Sequence, residues 1–280
     1  MTTMREYSDT ELSKLHDTLF DILEEIIRVC DILHIEYFAI GGTGIGVHFW
    51  QDIIPWDDDI DIGMTRNNYN RFLKEAPAVL RPEFFLAWYG TDPHTPFYFA
   101  KLRKKDTLFV EELCRDINMN HGIFVDIFPF DKVPRSAFLE RMQRKAVNRI
   151  NECFVGKEVW PWQYFGTCAL DKPNAKGWLG CLLTRIVTKT LSKRAIYKTM
   201  CRFMTLFDRC DADYYNHIVT SFDHIPLEDL HNMQKKKFGR LEVAVPDHLD
   251  KYLFHHYGPG LKKIPAKEIQ VNHAPLTLKF

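Results

Sequence analysis

The sequence predicts an α/β fold of the α+β kind, a mixed sheet with flanking helices joined to a mainly helical subdomain. Three observations carry this. Near the N-terminus Leu12, Leu15, Leu19, Ile22, Leu23, Ile26 and Ile27 recur at helical spacing. Between residues 37 and 128 short apolar or alternating runs are bounded by turn formers, as strands are. From about Arg135 the 3.6-residue period takes over.

The elements follow in order. Ser8-Asp-Thr-Glu11 reads as a capping box, in which hydroxyl and carboxylate satisfy each other's backbone donors, so a long helix should run to about Leu33. Residues 37–40 read as a strand stopped by Gly41-Gly42, with a short helix over 43–50. Asp59-Ile-Asp-Ile-Gly63 alternates with period two, as a strand with one polar face does. A helix is expected over 66–75 and strands over 84–88, 97–102, 107–111 and 123–128, with turns at Asp92-Pro93 and His121-Gly122. Helices are expected over 138–151 and 180–206, separated by a loop over 160–174. Pro246, Gly258-Pro-Gly260 and Pro265 break the C-terminal part into short segments. The organisation expected is a catalytic core over 1–135, a helical subdomain over 136–237 and a C-terminal segment over 238–280 that completes the site.

Composition excludes several classes. Among 280 residues, 46% are apolar and 21 Phe, 11 Tyr and 6 Trp supply ample surface to bury, which excludes general disorder. Thirty-seven basic side chains balance thirty-seven acidic ones, so no nucleic acid partner held by bulk charge is expected. No apolar run reaches the roughly 18–20 residues that span a bilayer, and no basic-then-apolar leader opens the chain. Seven cysteines without a C-x-x-C pair read as reduced, mostly buried thiols of a cytoplasmic protein. A zinc site of Cys153, Cys168 and Cys181 would have a spacing unlike the usual knuckles.

The chemistry concentrates in Ile40-Gly-Gly-Thr-Gly-Ile-Gly46 and Pro55-Trp-Asp-Asp-Asp-Ile-Asp61. Four aspartates within five residues repel one another unless a cation sits among them. Alternation puts Asp57, Asp59 and Asp61 on one face, with Asp58 and Ile60 on the other. Oxygen ligands two apart on a strand suit Mg²⁺ or Mn²⁺. A solvated acidic turn fits less well, because Trp56, Ile60 and Ile62 demand burial. Gly41-Gly42-Thr43 before a short helix offers backbone N–H groups and a helix N-terminus, a seat for phosphate.

A Gly-Gly turn, a helix and an Asp-x-Asp strand together resemble the nucleotidyltransferase superfamily. More closely, Gly42-Thr43 and Ile54-Pro-Trp-Asp-Asp-Asp-Ile-Asp-Ile-Gly63 resemble the LicD family of phosphocholine-type transferases. The resemblance continues through Lys101-Leu-Arg103, Thr107 and His121-Gly-Ile-Phe-Val-Asp-Ile-Phe-Pro-Phe-Asp131. It resumes at Phe238, Val245-Pro246, Tyr252-Leu253, Tyr257-Gly258, Pro265 and His273. Where that family usually carries Arg-His and then Gly two residues later, this chain has Phe49-Trp50 and Asp52; where an Arg is common, it has Gln270.

The resemblance implies a nucleotidyltransferase-like core that moves a phosphorylated alcohol (phosphocholine, or ribitol or glycerol phosphate) from a CDP-activated donor to a sugar hydroxyl. The acceptor would be an oligosaccharide or lipid-linked glycan. It implies Mg²⁺, or Mn²⁺, on Asp59 and Asp61. Asp126, on the apolar strand Ile123-Phe-Val-Asp-Ile-Phe128, is the natural third carboxylate, either a ligand or the base. Asp57 could fill the base role instead, and Asp58 makes a local hydrogen bond. Lys101 and Arg103 would face the donor phosphates, unless they form a solvated basic edge. His273 would touch the phosphates or the cytosine.

Two rivals remain: transfer of NMP from an NTP by the same carboxylates, and a catalytically inactive binding protein on the same fold. Residues 172–207 hold eight Lys or Arg and no Asp or Glu. There Trp178, Leu179, Leu182, Leu183, Ile186 and Val187 alternate with Arg185, Lys189, Lys193 and Arg194, which reads as a core helix with a basic solvated face or as peripheral contact with the inner face of the membrane.

Overall fold

The computed structural model describes residues 7–159, 175–219, 223–258, 261 and 272–280, the side chains of 175–181 and 183 excepted. The loop expected over 160–174 lies outside the described residues, as do Cys168, Pro265, Gln270 and the side chains of Trp178, Leu179, Cys181 and Leu183.

Helix α1 (Asp9–Leu33) opens on the expected capping box: Ser8 Oγ accepts from Glu11 N, and Glu11 Oε2 accepts from Ser8 N at 3.1 Å. Its buried stripe, Leu15, Leu19, Ile22, Leu23 and Ile26, contributes about 1.5–3 kcal/mol per side chain. Strand β1 (Phe38–Ala39) leads into α2 (Gly41–Phe49). The helix starts on the glycine pair rather than after it. Gly41 has φ +53°, a left-handed turn that glycine takes without strain.

Strand β2 (Asp61–Thr65) begins two residues later than the alternation suggested, and α3 (Arg66–Glu75) falls where expected. Then come β3 (Phe84–Ala87), β4 (Ala100–Lys104), β5 (Leu108–Val110) and β6 (Phe124–Lys132). The strand expected over 97–102 is displaced because Tyr98 and Phe99 turn their rings aside: Phe99 packs 4.2 Å from Phe128, centroid to centroid, and Tyr98 stacks on His217.

Helix α4 (Ala137–Val155) is followed by two helices where one was expected, α5 (Ala175–Thr190) and α6 (Lys193–Met204). The break falls at Ser192, whose hydroxyl caps α6 by accepting from Ala195 N at 3.2 Å. The remainder comprises β7 (Tyr214–Asn216), β8 (Ile225–Pro226), α7 (Leu227–His231), β9 (Gln234–Phe238), β10 (Leu241–Val245), α8 (Leu249–Tyr257) and β11 (Thr277–Lys279).

The central sheet runs β1-β2-β6-β4-β3, with β7 and β8 continuing from the far end of β6. Among the described strands only β2 and β6 pair in parallel. β9 and β10 form a hairpin, and β11 pairs with β5. One sheet face, including Ile62, Val125, Ile127 and Leu102, belongs to the core beneath α1. Phe238, Val243, Val245, Leu249 and Leu253 join that same core, so the C-terminal segment packs against the N-terminal half. A second core joins Val147 and Phe154 of α4 to Ile196, Met200 and Met204 of α6, and reaches Tyr98 and Ile218.

Candidate active site

The opposite sheet face carries the charged groups. Asp61 and Asp126 are register partners on the parallel pair β2–β6, and Lys101 is paired with Asp126 across β4–β6. Residues level with one another on adjacent strands point to the same side, so the three share one floor. The backbone fixes Asp61: its N–H donates to Thr43 Oγ1 at 2.8 Å and its carbonyl accepts from Ile40 N at 3.3 Å. The carbonyl of Ile60 accepts from Asp126 N at 2.9 Å.

Asp57 to Ile60 approach β2 as an extended segment under the start of α2. A Cβ added at Gly42 would lie 2.9 Å from Asp57 Oδ2, and one at Gly41 would lie 3.5 Å from Asp61 Oδ2. Glycine is needed here for close approach, the backbone lying directly against carboxylate oxygens. Ile40 gives the α2 N-terminus no side-chain cap; the Gly41 amide is taken by the Tyr252 hydroxyl at 3.1 Å, and a helix start of this kind favours an anion. Asp58 points the other way and is buried. It accepts from the Tyr7 hydroxyl at 2.7 Å and from the His273 amide at 2.8 Å. Its partners are therefore distant in sequence, not local as expected.

Withdrawal from water and mutual repulsion raise the carboxyl groups' proton affinity. Asp57 is pushed up to about 8, by burial and then by the charges of Asp59 and Asp58. Asp61 is held well above the usual carboxylate range by burial, Asp59, Asp126 and Asp57. Asp126 rises to about 6 through burial, with Lys101 opposing. A divalent cation would offset all three shifts.

The expected trio Asp59, Asp61 and Asp126 is brought to one cleft, but Asp59 leans outward. Among the described residues two groups bring ligand atoms within 4.8 Å of one another, Asp58 with Asp59 and His273, and Asp229 with Asp247 and His248; the expected trio is not one of them. His273 Nδ1 lies 3.3 Å from Asp59 Oδ2, and its pKa rises to about 9, first through that bond. Opposite charge draws Asp59 towards the imidazole. His273 thus sits at the carboxylates.

Two expectations are corrected. Lys101 and Arg103 do share a face, but they are buried inside the sheet and form neither a basic edge nor a paired phosphate clamp. Lys101 Nζ lies 2.8 Å from Asp126 Oδ1 and 3.4 Å from the Phe124 ring centre. Arg103, the largest fully buried side chain, donates to the Gly122 carbonyl at 2.7 Å and lies 3.9 Å from Glu111. β4 lies between β3 and β6, so its basic residues need internal partners. Thr43 is buried and its hydroxyl orients Asp61, a bond that leaves untouched the backbone N–H on which its expected place at phosphate rests.

Sequence reasoning missed a second ring of residues. Tyr252 Oη accepts from Gly41 N at 3.1 Å and donates to Asp223 Oδ1 at 2.9 Å. His256 Nδ1 lies 2.6 Å from the same oxygen, and His217 Nδ1 lies 3.8 Å from Asp223 Oδ2. His217 in turn bonds the Tyr98 hydroxyl. From α1, His16 Nε2 donates to the Asp57 carbonyl at 2.8 Å. The signal available was the position of Tyr252 and Tyr257 in the C-terminal pattern, with no clue to their partners.

A glycine turn opening a helix, set over carboxylates on two neighbouring strands, is the arrangement that the resemblance to the nucleotidyltransferase superfamily implies. Residues 34–161 match the family model LicD, described as "LicD/FKTN/FKRP, nucleotidyltransferase domain". That segment, which contains Asp57, Asp58, Asp59, Asp61 and Asp126, matches the LicD family, and the resemblance read from the sequence is borne out. The chain is also 24% identical over 269 residues, 90% of its length and 92% of the other's, to the lipopolysaccharide cholinephosphotransferase LicD of Haemophilus influenzae. That similarity runs far beyond the matched domain, across the length of chain that contains the helical and C-terminal parts.

Proposed function

We propose that this chain is a phosphotransferase that moves phosphocholine, or a related phosphorylated alcohol such as glycerol or ribitol phosphate, from a CDP-activated donor to a sugar hydroxyl of a cell-surface glycan. The observation that carries the reading is the register of Asp61 with Asp126, with Asp57 close beneath the glycine start of α2. The homologue's name supports lipopolysaccharide as the kind of acceptor.

The carboxylates fit a divalent cation: the donors are all oxygen, and their raised proton affinity marks a site that lacks positive charge. Asp59, Asp61 and Asp126 would hold Mg²⁺ or Mn²⁺, which supplies charge neutralisation for the donor's pyrophosphate and the departing CMP. Lys101 anchors Asp126 in place. The amides at Gly42 and Thr43 receive a phosphate oxygen. Asp57 is the better base, because it is not one of the three carboxylates that would hold the metal and Asp126 is already held by Lys101. The acceptor hydroxyl oxygen bonds to the phosphorus bearing the alcohol, its proton passes to Asp57, and the bond from that phosphorus to the bridging oxygen breaks. CMP leaves with the electron pair.

The test is release of CMP from CDP-choline, CDP-ribitol and CDP-glycerol, with and without Mg²⁺, using a lipid-linked glycan as acceptor. Asp61→Asn and Asp126→Asn should each lower the rate at least about 100-fold. Pyrophosphate release from an NTP, with no CMP from any CDP-alcohol, would replace this reading with nucleotidyl transfer. Binding of a CDP-alcohol without turnover would leave a binding protein.

Such an acceptor would be met at a membrane. No helix among the described residues is long and apolar enough to cross one. We infer peripheral contact at the inner face, through the exposed basic and apolar side of α4 and α6.

A further inference from the structure

We propose that the cavity of about 680 Å³ enclosed by α4, the β7–β8 ribbon and α8 is a saccharide-binding subsite that holds the acceptor glycan. Its role as acceptor site rests on the phosphotransfer reading, whereas the binding of a saccharide does not.

The cavity lies one side chain away from the carboxylate cleft. Three residues along the partition show this. Tyr252 places its hydroxyl on Gly41 N and also lines the cavity. Asp223 bonds that hydroxyl, while its neighbour His224 faces the cavity and lies 2.7 Å from Glu140. His256 pairs with Asp223, while its neighbour His255 faces the cavity. The C-terminal turn of α8 is the rim between the two spaces. Tyr257, 42% exposed, stands on that rim with its hydroxyl 3.7 Å from where a Cβ of Gly41 would be. A glycan seated in the cavity can therefore pass over Tyr257 and present its terminal hydroxyl to Asp57.

The lining selects the ligand class. Its volume is that of ordinary small-molecule sites, about 300–1,000 Å³. Four carboxylates, Glu140, Asp213, Glu228 and Asp229, stand with two cations, Arg135 and Lys251, and three histidines; Arg135 is 2.8 Å from Asp213, His224 2.7 Å from Glu140 and His248 2.9 Å from Asp229, which leaves Glu228 the least engaged. That balance repels a nucleotide's phosphates. Carboxylates accept paired hydroxyl donors, and the Tyr214 ring with Pro134 and Pro226 offers apolar surface for the C–H face of a sugar. A neutral polyhydroxyl ligand satisfies both.

The test is saturation-transfer NMR on the full chain with three probes: lactose, N,N′-diacetylchitobiose and core oligosaccharide freed from lipopolysaccharide by mild acid. At least one should bind with about millimolar affinity. Tyr214→Ala and Glu228→Gln should each weaken it about fivefold or more without lowering the melting temperature, and Asp61→Asn should leave it unchanged. In the CMP-release assay the two cavity variants should raise the acceptor KM and spare kcat. Silence with all three probes, or binding untouched by both cavity variants, overturns the proposal. Saccharide binding that obeys the variants beside an enzyme releasing no CMP would sustain the subsite and overturn the donor chemistry instead.

Discussion

His273 links the C-terminus to the carboxylates, and its titration gives a residue-scale prediction. Its pKa is raised above the ordinary value near 6.5 to about 9 by Asp59. A group with a raised folded pKa favours the folded state while it is protonated in both states. That contribution is full below about pH 6.5 and is lost as pH climbs through about 9. Because 68% of the side chain is open to solvent, the pair is screened and its stabilising effect is small. NMR titration of the His273 ring should give a midpoint clearly above that of an exposed histidine, and Asp59→Asn should bring it back. An ordinary midpoint in the unaltered chain would separate His273 from Asp59. At this scale the aspartates were legible, because clustered like charges in apolar surroundings demand explanation. The fate of Lys101 and Arg103 was not. Spacing gave their shared face, but whether that face met solvent or Phe124 and Glu111 depended on β4 lying between β3 and β6.

At the scale of elements, α1 and α3 were readable because a cap and a periodic face act locally, whereas α5 and α6 read as one helix because the apolar period runs on past Ser192. The basic segment also divides in its duties. Lys193 is not solvated: it lies 2.8 Å from Glu158 and donates to the carbonyls of Pro93 and Thr95. The outward side is built by α4 and α6 together. Gln143 donates to the carbonyls of Phe203 and Met204 at 2.9 and 3.0 Å, bringing exposed Phe138, Leu139 and Met142 beside exposed Phe203 and Leu206. Arg141, Lys145, Lys198 and Arg202 are exposed on the same two helices. Apolar side chains among basic ones complement an anionic bilayer, each cation near the surface contributing about 1 kcal/mol. The protein should therefore sediment with vesicles containing phosphatidylglycerol and not with pure phosphatidylcholine, less so as salt rises. Paired Phe138→Ser and Leu206→Ser should lower the bound fraction several-fold. Equal recovery with both vesicle types, or none with either, removes this face as the membrane contact.

Across the whole molecule, two cores and a distant C-terminal helix meet at Asp223, which no local pattern in the sequence singles out. Asp223 is buried and joins Tyr252 and His256 of α8, packed in the first core, to His217, which stacks on Tyr98 of the second. Such a hub is invisible in the sequence because its partners lie at separations set only by the folded topology. Burial alone would raise its pKa, but the hydrogen bonds and charges of His217 and His256 hold it well below the usual carboxylate range. A depressed folded pKa contributes stability above the unfolded value, near 3.9, which is lost as pH falls below that towards the folded pKa. Replacing the charge by an amide leaves two histidines and a tyrosine facing a weaker partner in a buried space. Asp223→Asn should cost about 3–5 kcal/mol in urea unfolding at pH 7, the range for breaking a buried, hydrogen-bonded pair. It should also flatten the loss of stability on acidification below about pH 4. Since Tyr252 also holds Gly41, whose turn is the proposed phosphate seat, the variant should loosen nucleotide binding even where it stays folded, measurable as weaker CMP affinity at low denaturant. A fully stable Asp223→Asn protein with unchanged CMP affinity would mean that the two cores and the glycine turn are held together elsewhere.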